Sequence, residues 1–170
     1  MSKQFSVNTT RFDPYKNFRF LVYFGTSKDP VAGVTKVTGL KRSSDVIEHK
    51  EAGSGIIRKG LGRTKYDPIT LERGVTHDDD FEQWANAAQV LDNGHPVQSL
   101  KDLRKDTIRI ELLNEAGQVV QRYTLYNCWV SEYQPLSDMD AGGNGVAIEH
   151  IKVEHEGWER DLTLKEPQEK

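Results

Sequence analysis

Short segments in which apolar and polar residues alternate dominate this chain, and they constrain its fold more than any other feature. In the first of them, residues 17–24, every second residue from Phe18 to Phe24 is aromatic or aliphatic. The other segments with strand character are residues 31–40, 44–50, 68–75, 107–113, 119–133 and 146–155. Because side chains two residues apart share one face of a β-strand, the pattern predicts about seven strands. We therefore expect a mainly β protein built as an antiparallel barrel or sandwich.

One segment, residues 78–91, follows the period of an α-helix instead. Its apolar stripe consists of Phe81, Trp84, Ala85, Ala88 and Leu91. The three aspartates at 78–80 precede the stripe, where carboxylates accept the unpaired N–H groups of a first helical turn. Asp79 with Glu82 resembles a capping box, and Gly94 marks the helix end. Capping is therefore favoured over a metal site for the aspartates, and the helix is predicted to pack outside the β-structure.

Two of the later segments predict irregular strands. Residues 119–133 are apolar on both faces, so either a bend or bulge divides this strand or both of its faces are covered. In residues 146–155 the apolar positions change from even to odd, which predicts a bulge near Glu149 and His150. Residues 114–117, Asn-Glu-Ala-Gly, predict a hairpin turn that ends in glycine.

Positive charge is concentrated in one part of the chain. The net charge is −3, which excludes a generically basic nucleic-acid-binding protein. The segment from Lys41 to Arg73 carries +3, and the remainder therefore carries −6. This segment includes residues 51–62, which contain four glycines and predict a long flexible hairpin arm or loop. A solvated loop face is the simplest interpretation of the charge.

Length and composition indicate one domain. The 170 residues suffice for a real core, and 36% hydrophobic residues suit a β-rich domain that buries further apolar surface on assembly. We predict a single domain over residues 1–170, with a core at 12–160 and a polar tail at 161–170. We expect neither a membrane span nor a secretory signal. The single cysteine, Cys128, excludes an internal disulfide and is interpreted as a buried structural residue in a reducing compartment.

The residues that usually carry chemistry form no recognisable site in the sequence. The five histidines are His49, His77, His95, His150 and His155, and no two of them have the helical spacing of a zinc site. The glycine-rich stretches match neither the dinucleotide-binding pattern nor a Walker sequence, and no serine elbow is present. We therefore predict no catalytic residues, no metal, no cofactor and no enzymatic activity.

An ordered series of motifs nevertheless points to one family. They are Asp13-Pro14-Tyr15-Lys16-Asn17-Phe18-Arg19-Phe20, Val37-Thr38-Gly39-Leu40, Val46-Ile47-Glu48-His49-Lys50-Glu51, Arg58-Lys59-Gly60-Leu61-Gly62-Arg63-Thr64-Lys65-Tyr66, Ile69-Thr70-Leu71-Glu72-Arg73-Gly74-Val75-Thr76, Asn127-Cys128-Trp129, Val146-Ala147-Ile148-Glu149 and His155-Glu156-Gly157-Trp158. Over residues 12–160 this series resembles the tail tube proteins of contractile-tailed phages and the inner tube proteins of extracellular contractile injection systems. Each motif is weak alone, and the ordered series is specific.

The resemblance implies a structural subunit, whose hexameric rings stack into a hollow tube that a sheath drives through an envelope. Two long hairpins, at about residues 44–71 and 123–153, would join neighbours in an inner barrel, with helix 78–91 outside it. The implied partners are further copies of the chain, the sheath, baseplate and tail-terminator proteins, and DNA or protein cargo in the lumen. The implied location is a phage tail or injection particle assembled in the bacterial cytoplasm.

Specific residues follow from this resemblance. The candidates for contacts between rings or subunits are Arg58, Lys59, Arg63, Lys65, Gly53 and Gly55. The basic ones would pair with acids of the next subunit, and the glycines would lie in a segment that orders on docking. A lumen that conducts DNA should repel phosphate, which makes Glu48, Glu72 and Glu149 candidates to face it.

Three alternatives stay open at this point. A type VI secretion tube protein would share the architecture and the hexameric state. A monomeric β-barrel ligand-binding module would instead need an enclosed apolar pocket and no long polar hairpin. An enzyme is the least favoured, since it would need clustered titratable residues with shifted pKa values. Neither the cargo nor the choice between phage and injection system follows from the sequence.

Overall fold

The structure, a computed structural model, describes residues 14–53, 55–87, 91–92, 95–96, 106–165 and 167. Within these residues the chain forms eleven strands and one helix. The strands are β1 Phe20–Phe24, β2 Val34–Val37, β3 Arg42–Lys50, β4 Ile57–Tyr66, β5 Ile69–Gly74, β6 Leu91–Asp92, β7 His95–Pro96, β8 Asp106–Leu113, β9 Val119–Gln134, β10 Ile148–Glu154 and β11 Gly157–Arg160. The helix α1 spans Asp80–Ala87. None of the helices described is long and apolar enough to cross a membrane.

Seven strands form one antiparallel sheet in the order β1-β8-β9-β10-β5-β2, with β11 added beside β9. The pairs β3–β4 and β6–β7 are separate two-stranded sheets, also antiparallel. This arrangement confirms the prediction of a mainly antiparallel β protein with one outer helix.

Strand β9 connects the two halves of the main sheet. Its first half pairs with β8 and β11, whereas its second half, from Trp129 onward, pairs with β10. Between the halves Asn127 has a φ of 53°, a left-handed conformation that asparagine tolerates better than most residues. Its side-chain amide donates a 2.7 Å hydrogen bond to Glu156. The register of β9 with β8 also shifts between Asp106 and Ile108, opposite residues 125–128, so of the two alternatives expected for residues 119–133 the structure shows the bulge.

The core lies between the inner faces of the two halves and helix α1. Its buried members are Val22, Ile69, Leu71, Phe81, Ala85, Ile108, Leu125, Cys128, Val130, Ile151 and Val153. Phe81 and Ala85, four residues apart on α1, point into this core, and the ring of Trp84 lies 4.6 Å from that of Phe24. The apolar stripe thus packs against the sheet as its spacing predicted.

Residues 51–62, predicted to form a hairpin arm or loop, are the turn of the β3–β4 hairpin and the first part of β4, which begins at Ile57. Two other local predictions are wrong. The helix does not reach Leu91, which lies in β6, while Ala88 and Gly94 fall outside the described residues. The bulge expected near Glu149 is absent, since β10 pairs with β5 without interruption, and its register with β9 shifts only between Lys152 and Val153. The odd positions of β10 are buried throughout, and Glu149 is one of them.

Candidate functional site

The β3–β4 pair forms an arm, residues 42–66, that is exposed on both faces. Every residue of β3 is exposed, and in β4 only Gly62 and Tyr66 are half-buried. Large apolar side chains are among the exposed ones, with Val46 at 61%, Ile47 at 59% and Leu61 at 80%. The two strands pair only with each other, so both outer edges of the arm offer unpaired backbone groups. Exposed apolar side chains beside open strand edges mark a surface that another chain covers.

A glycine at the middle of the arm shapes it. The register shifts between Ser44 and Val46, so that Gly62 and Arg63 of β4 together oppose the single residue Asp45 of β3. This is a β-bulge, which increases the local twist of a strand pair. A Cβ added at Gly62 would lie 2.7 Å from the carbonyl oxygen of Asp45, a distance that no real side chain tolerates. The bulge therefore requires glycine at position 62.

The cross-strand pairs distribute charge and apolar groups over both faces of the arm. One face carries the pairs Val46–Leu61 and Glu48–Lys59, and the other carries Ile47–Gly60 and His49–Arg58. Each face thus offers an apolar patch next to a basic residue. Such a mixture suits a docking surface that combines apolar burial with charge pairing.

The six residues predicted to contact neighbours all lie on the arm or its tip. Lys59 Nζ lies 3.7 Å from Glu48, and Lys65 Nζ lies 3.4 Å from Asp45, so both already have an acid within the arm. Arg58 and Arg63 have no acidic partner among the described residues. Gly53 takes a φ of 88° in the turn at the tip, and Gly55 follows it. The role of all six residues in contacts between subunits stays a prediction.

The three acids predicted to face a lumen occupy different environments. Glu48 is exposed on the arm, and Glu72 is half-buried on β5, where Lys36 Nζ lies 2.9 Å from its carboxylate. Glu149 is only 5% exposed, because its side chain points into the subunit. A lumen-facing role for Glu149 does not fit this position, since a carboxylate buried against the core of its own subunit presents no charge to a channel. The role of Glu48 and Glu72 stays a prediction.

Glu149 belongs to a buried ion pair that the sequence analysis missed. Arg73 on β5 is fully buried, and its Nε donates a 2.6 Å hydrogen bond to the carboxylate of Glu149, its cross-strand partner on β10. The other oxygen of that carboxylate accepts a hydrogen bond from the hydroxyl of Tyr133. Burial raises the pKa of this tyrosine, and the carboxylate raises it further. The alternation of β5 and β10 was the available signal, because Arg73 and Glu149 fall on the apolar phase of their strands.

The same arginine anchors the start of helix α1. Its Nη2 donates a 2.6 Å hydrogen bond to the backbone carbonyl of Asp78, and its Nη1 lies 3.2 Å from the carboxylate of that residue. The guanidinium also stacks over Phe81, 4.2 Å from the ring centroid. The backbone N–H of Asp80 and the charge of Arg73 both hold the pKa of Asp78 below its usual value. Arg73 thus ties the helix to the sheet.

One of the aspartates at 78–80, Asp78, caps helix α1 in the structure. Asp78 accepts the hydrogen bond from the backbone of Asp80, and Asp79 accepts one from the side chain of Gln83. The capping box predicted for Asp79 with Glu82 is wrong in detail, because the capping side chain is Asp78. These three carboxylates form the only cluster of three potential metal ligands within the described residues. Asp78 and Asp79 each accept a hydrogen bond from helix α1, which accounts for their positions at its start.

The described histidines lie apart from one another. His49 is exposed on the arm, and His150 Nε2 lies 3.6 Å from the carboxylate of Glu132 on the polar face of the sheet. His155 is buried, with Nε2 3.0 Å from the carbonyl oxygen of Asp67. The side chain of His95 lies outside the described residues.

Comparison with protein families identifies one match. Residues 16–159 match the family described as the T4-like virus tail tube protein gp19. A search of curated protein sequences finds no match.

Several solved structures share the fold. The sheath/tube terminator of an extracellular contractile injection system, PVC, in the extended state is 25% identical, with a TM-score of 0.73 over 88% of this chain and 98% of that one. The tube-terminating cap of the anti-feeding prophage is 24% identical, with a TM-score of 0.74 over 95% and 99% of the two chains. A chain of the anti-feeding prophage baseplate is 24% identical, with a TM-score of 0.71 over 87% and 95%.

Proposed function

Because the chain belongs to the T4-like virus tail tube protein family, we propose that it forms hexameric rings that stack into the hollow inner tube of a contractile tail or injection particle. In this proposal the whole chain, residues 1–170, is one tube domain. The subunit is structural, without catalytic activity. The tube carries DNA or protein cargo through its lumen.

The exposed β3–β4 arm is the observation that carries this proposal. An isolated subunit leaves Val46, Ile47 and Leu61 in water and leaves both edges of the arm unpaired. Contacts of one arm with the next subunit would bury these groups, and identical contacts repeated around an axis close into a ring. A sheet continued around such a ring has no open edge, which removes the aggregation hazard of a long exposed strand.

Charge supports contacts between the arm and another subunit. The segment that contains the arm carries +3, whereas the rest of the chain carries −6. We propose that Arg58, Lys59, Arg63 and Lys65 contact acids of a neighbouring ring, and that the tip with Gly53 and Gly55 orders on docking. Arg58 and Arg63 lead these contacts, because Lys59 and Lys65 already face acids of their own arm.

The partners and the lumen follow from the same proposal. The matched structures come from sheath–tube, baseplate and terminator assemblies, so we propose that this tube meets a sheath, a baseplate and a terminator of its own. It would be assembled in the bacterial cytoplasm and function in the finished particle. Glu48 and Glu72 are the acids proposed to face the lumen, where they would repel phosphate.

Electron microscopy of the purified protein, together with its mass in solution, tests the proposal. Hollow sixfold rings or stacked tubes are expected. A variant that lacks residues 53–60 loses the tip of the arm and the start of β4, and it is expected to form folded rings that no longer stack. Normal tubes from this variant would show that rings stack without the tip of the arm. A uniform monomer of the intact chain at every concentration, even with baseplate components added, would favour a binding module instead.

A further inference from the structure

An apolar groove opens at the base of the arm. Its volume is about 380 Å³, and it lies between strands of the main sheet and residues 37–40, which lead into β3. The groove is lined mainly by Phe20, Val37, Leu40, Ile110, Leu112 and Trp158. Most of these side chains are only half-buried, although they pack against the core on their other side. The groove is therefore a place where the apolar core is left open to solvent.

Two arginines lie beside this groove. The guanidinium of Arg42 lies 5.9 Å from the centroid of the Trp158 ring. Arg160 is paired across the strands with Tyr123, which lines the groove, and residues directly opposite each other in an antiparallel pair share one face of the sheet. Both arginines are exposed, and neither has an acidic partner among the described residues. The groove therefore suits an apolar side chain that is accompanied by carboxylates.

The loop between β9 and β10, residues 135–147, carries these complementary groups. It contains Asp138 and Asp140 and no Lys, Arg or His. Met139, between the two acids, is 73% exposed. One carboxylate oxygen of Asp140 accepts a 2.9 Å hydrogen bond from the backbone N–H of Gly142, which holds the turn that follows Met139. The loop thus presents an apolar side chain between two carboxylates.

The loop and the groove do not meet within one subunit. No residue of the loop lines the groove of the described subunit, and Met139 stays exposed. Complementary surfaces on different parts of one chain can join copies head to tail, and such contacts produce closed rings or filaments. The arm also exposes apolar side chains, but residues 42–66 carry six basic residues against three acidic ones. The arm would therefore bring positive charge to the two arginines, whereas the loop brings negative charge.

We propose that the loop of residues 135–147 docks in the groove of a second copy of this chain, with Met139 among the apolar side chains and Asp138 against Arg160. This contact rests on the proposed function, in which copies of the chain assemble. The unbranched, flexible side chain of methionine adapts to an irregular apolar surface. Asp140 meets Arg42 through the carboxylate oxygen that does not bind Gly142.

An exchange of the two charges tests the contact. Arg160→Asp and Asp138→Arg each bring like charges together and should raise the protein concentration needed for tubes about tenfold or more. The combined variant restores opposite charges in every copy and should return to within about threefold of the wild type. Lys28→Asp, a matched change at an exposed position outside the groove, should assemble like the wild type.

The outcomes separate this contact from the assembly as a whole. Single variants that assemble like the wild type, or a combined variant that assembles no better than they do, would overturn the contact and leave the tube in place. A wild-type chain that stays monomeric at every concentration would overturn both.

Cross-linking with a bifunctional maleimide locates the contact directly. Gly39 lines the groove, and a Cβ added there meets no atom within 4 Å, so Gly39→Cys is compatible with the fold. Ala141 is exposed in the loop, and the native Cys128 is fully buried. Tubes mixed from Gly39→Cys and Ala141→Cys chains should give about tenfold more cross-linked dimer than tubes mixed from Gly39→Cys and Lys28→Cys chains, because docking raises the local concentration of the two thiols. Equal yields from the two mixtures would overturn the proposal.

Discussion

The β3–β4 arm and the β9–β10 hairpin are both long antiparallel pairs, and they differ in what covers them. The arm has no buried residue on either face, whereas β10 buries every second residue and β9 buries Val130 within the length that the two strands share. A fully buried Val, Leu or Ile stabilises a fold by about 1.5–3 kcal/mol, and the largely exposed Val46, Ile47 and Leu61 contribute much less than this within the subunit.

The two hairpins are therefore expected to have different roles. The β9–β10 hairpin is held by the core and by the Arg73–Glu149 pair, so substitutions there should lower the unfolding free energy. The arm is held only by its own cross-strand pairs, so substitutions there should impair assembly. Arm variants that unfold the subunit, or β9–β10 variants that impair only assembly, would contradict this distinction.

The largest effect on folding is expected from Glu149→Ala. This change leaves the guanidinium of Arg73 buried without its strongest partner, and breaking a buried pair in this way costs about 3–5 kcal/mol of unfolding free energy. Urea denaturation of the dilute subunit measures it. The double variant Arg73→Met with Glu149→Leu removes both charges and should recover part of the loss, because the hydrogen bonds of Arg73 to Asp78 and of Tyr133 to Glu149 are lost as well. If Glu149→Ala unfolds at the same urea concentration as the wild type, the Arg73–Glu149 pair does not stabilise the main sheet.

A smaller effect, confined to the arm, is expected from Gly62→Ala. The new methyl group would lie 2.7 Å from the carbonyl oxygen of Asp45, and relieving such an overlap costs about 1–3 kcal/mol. Hydrogen exchange at the amides of β3 and β4 should accelerate while that of β9 and β10 stays unchanged. Gly60→Ala is the matched control, since its methyl group would meet its nearest neighbour at 3.8 Å. Equal exchange in the two variants would contradict a bulge that requires glycine.

A pH-dependent effect is expected from Asp78→Asn. The pKa of Asp78 is lowered in the folded state, so its ionised carboxylate stabilises the fold above the ordinary value of about 3.9 and ceases to do so as the pH falls through the folded pKa. Asparagine keeps the cap and removes only the charge near Arg73. The unfolding free energy of the wild type should therefore exceed that of the variant by about 1 kcal/mol or less at neutral pH.

Unfolding free energies measured from pH 7 down to about pH 2.5 check this prediction. The difference between wild type and Asp78→Asn should shrink in the acid range. A difference that grows on acidification would show that folding does not lower the pKa of Asp78, and it would contradict the stabilising contact with Arg73.

The smallest effect on folding, with a large one on assembly, is expected from Val46→Ser combined with Leu61→Ser. Both side chains are exposed, so the unfolding free energy of the subunit should change by less than about 0.5 kcal/mol. Tube formation should be lost, because the apolar patch on that face of the arm disappears. Sedimentation and microscopy measure assembly. Ser43→Ala with Thr64→Ala is an exposed arm control that should still assemble. Intact tubes from the Val46 and Leu61 variant would remove that face from the interface.

Much of the fold was predictable because its signals are local. The alternation in residues 107–113 and the Asn-Glu-Ala-Gly turn gave the β8–β9 hairpin, in which Gly117 has a φ of 80°. The stripe with Phe81 and Ala85 predicted a helix that packs on the sheet. The end of that helix was misjudged, because the apolar period continued to Leu91 after the helix itself had ended.

The candidate site was less predictable, and glycine shows why. Four glycines in residues 51–62 predicted a flexible hairpin arm or loop, and the structure makes two of them, Gly60 and Gly62, paired strand residues in β4. Gly62 is required because the backbones of β3 and β4 approach each other closely there, and not because the segment is flexible. That requirement depends on Asp45 across the pair, which no local pattern reveals.

Local patterns in the sequence were enough to predict most of the strands, the apolar stripe of the helix and the family motifs, since all of these are carried by neighbouring residues. Only the tertiary structure decided that Glu149 faces the core, where it meets an arginine 76 residues earlier in the chain. Only the tertiary structure decided that Val46 and Leu61 stay exposed. The physical reason is the same in both cases, because the burial of a side chain depends on what lies opposite it. In the main sheet the opposite surface is supplied by strands that are distant in the sequence. Opposite the arm, the described residues of the subunit supply no such surface.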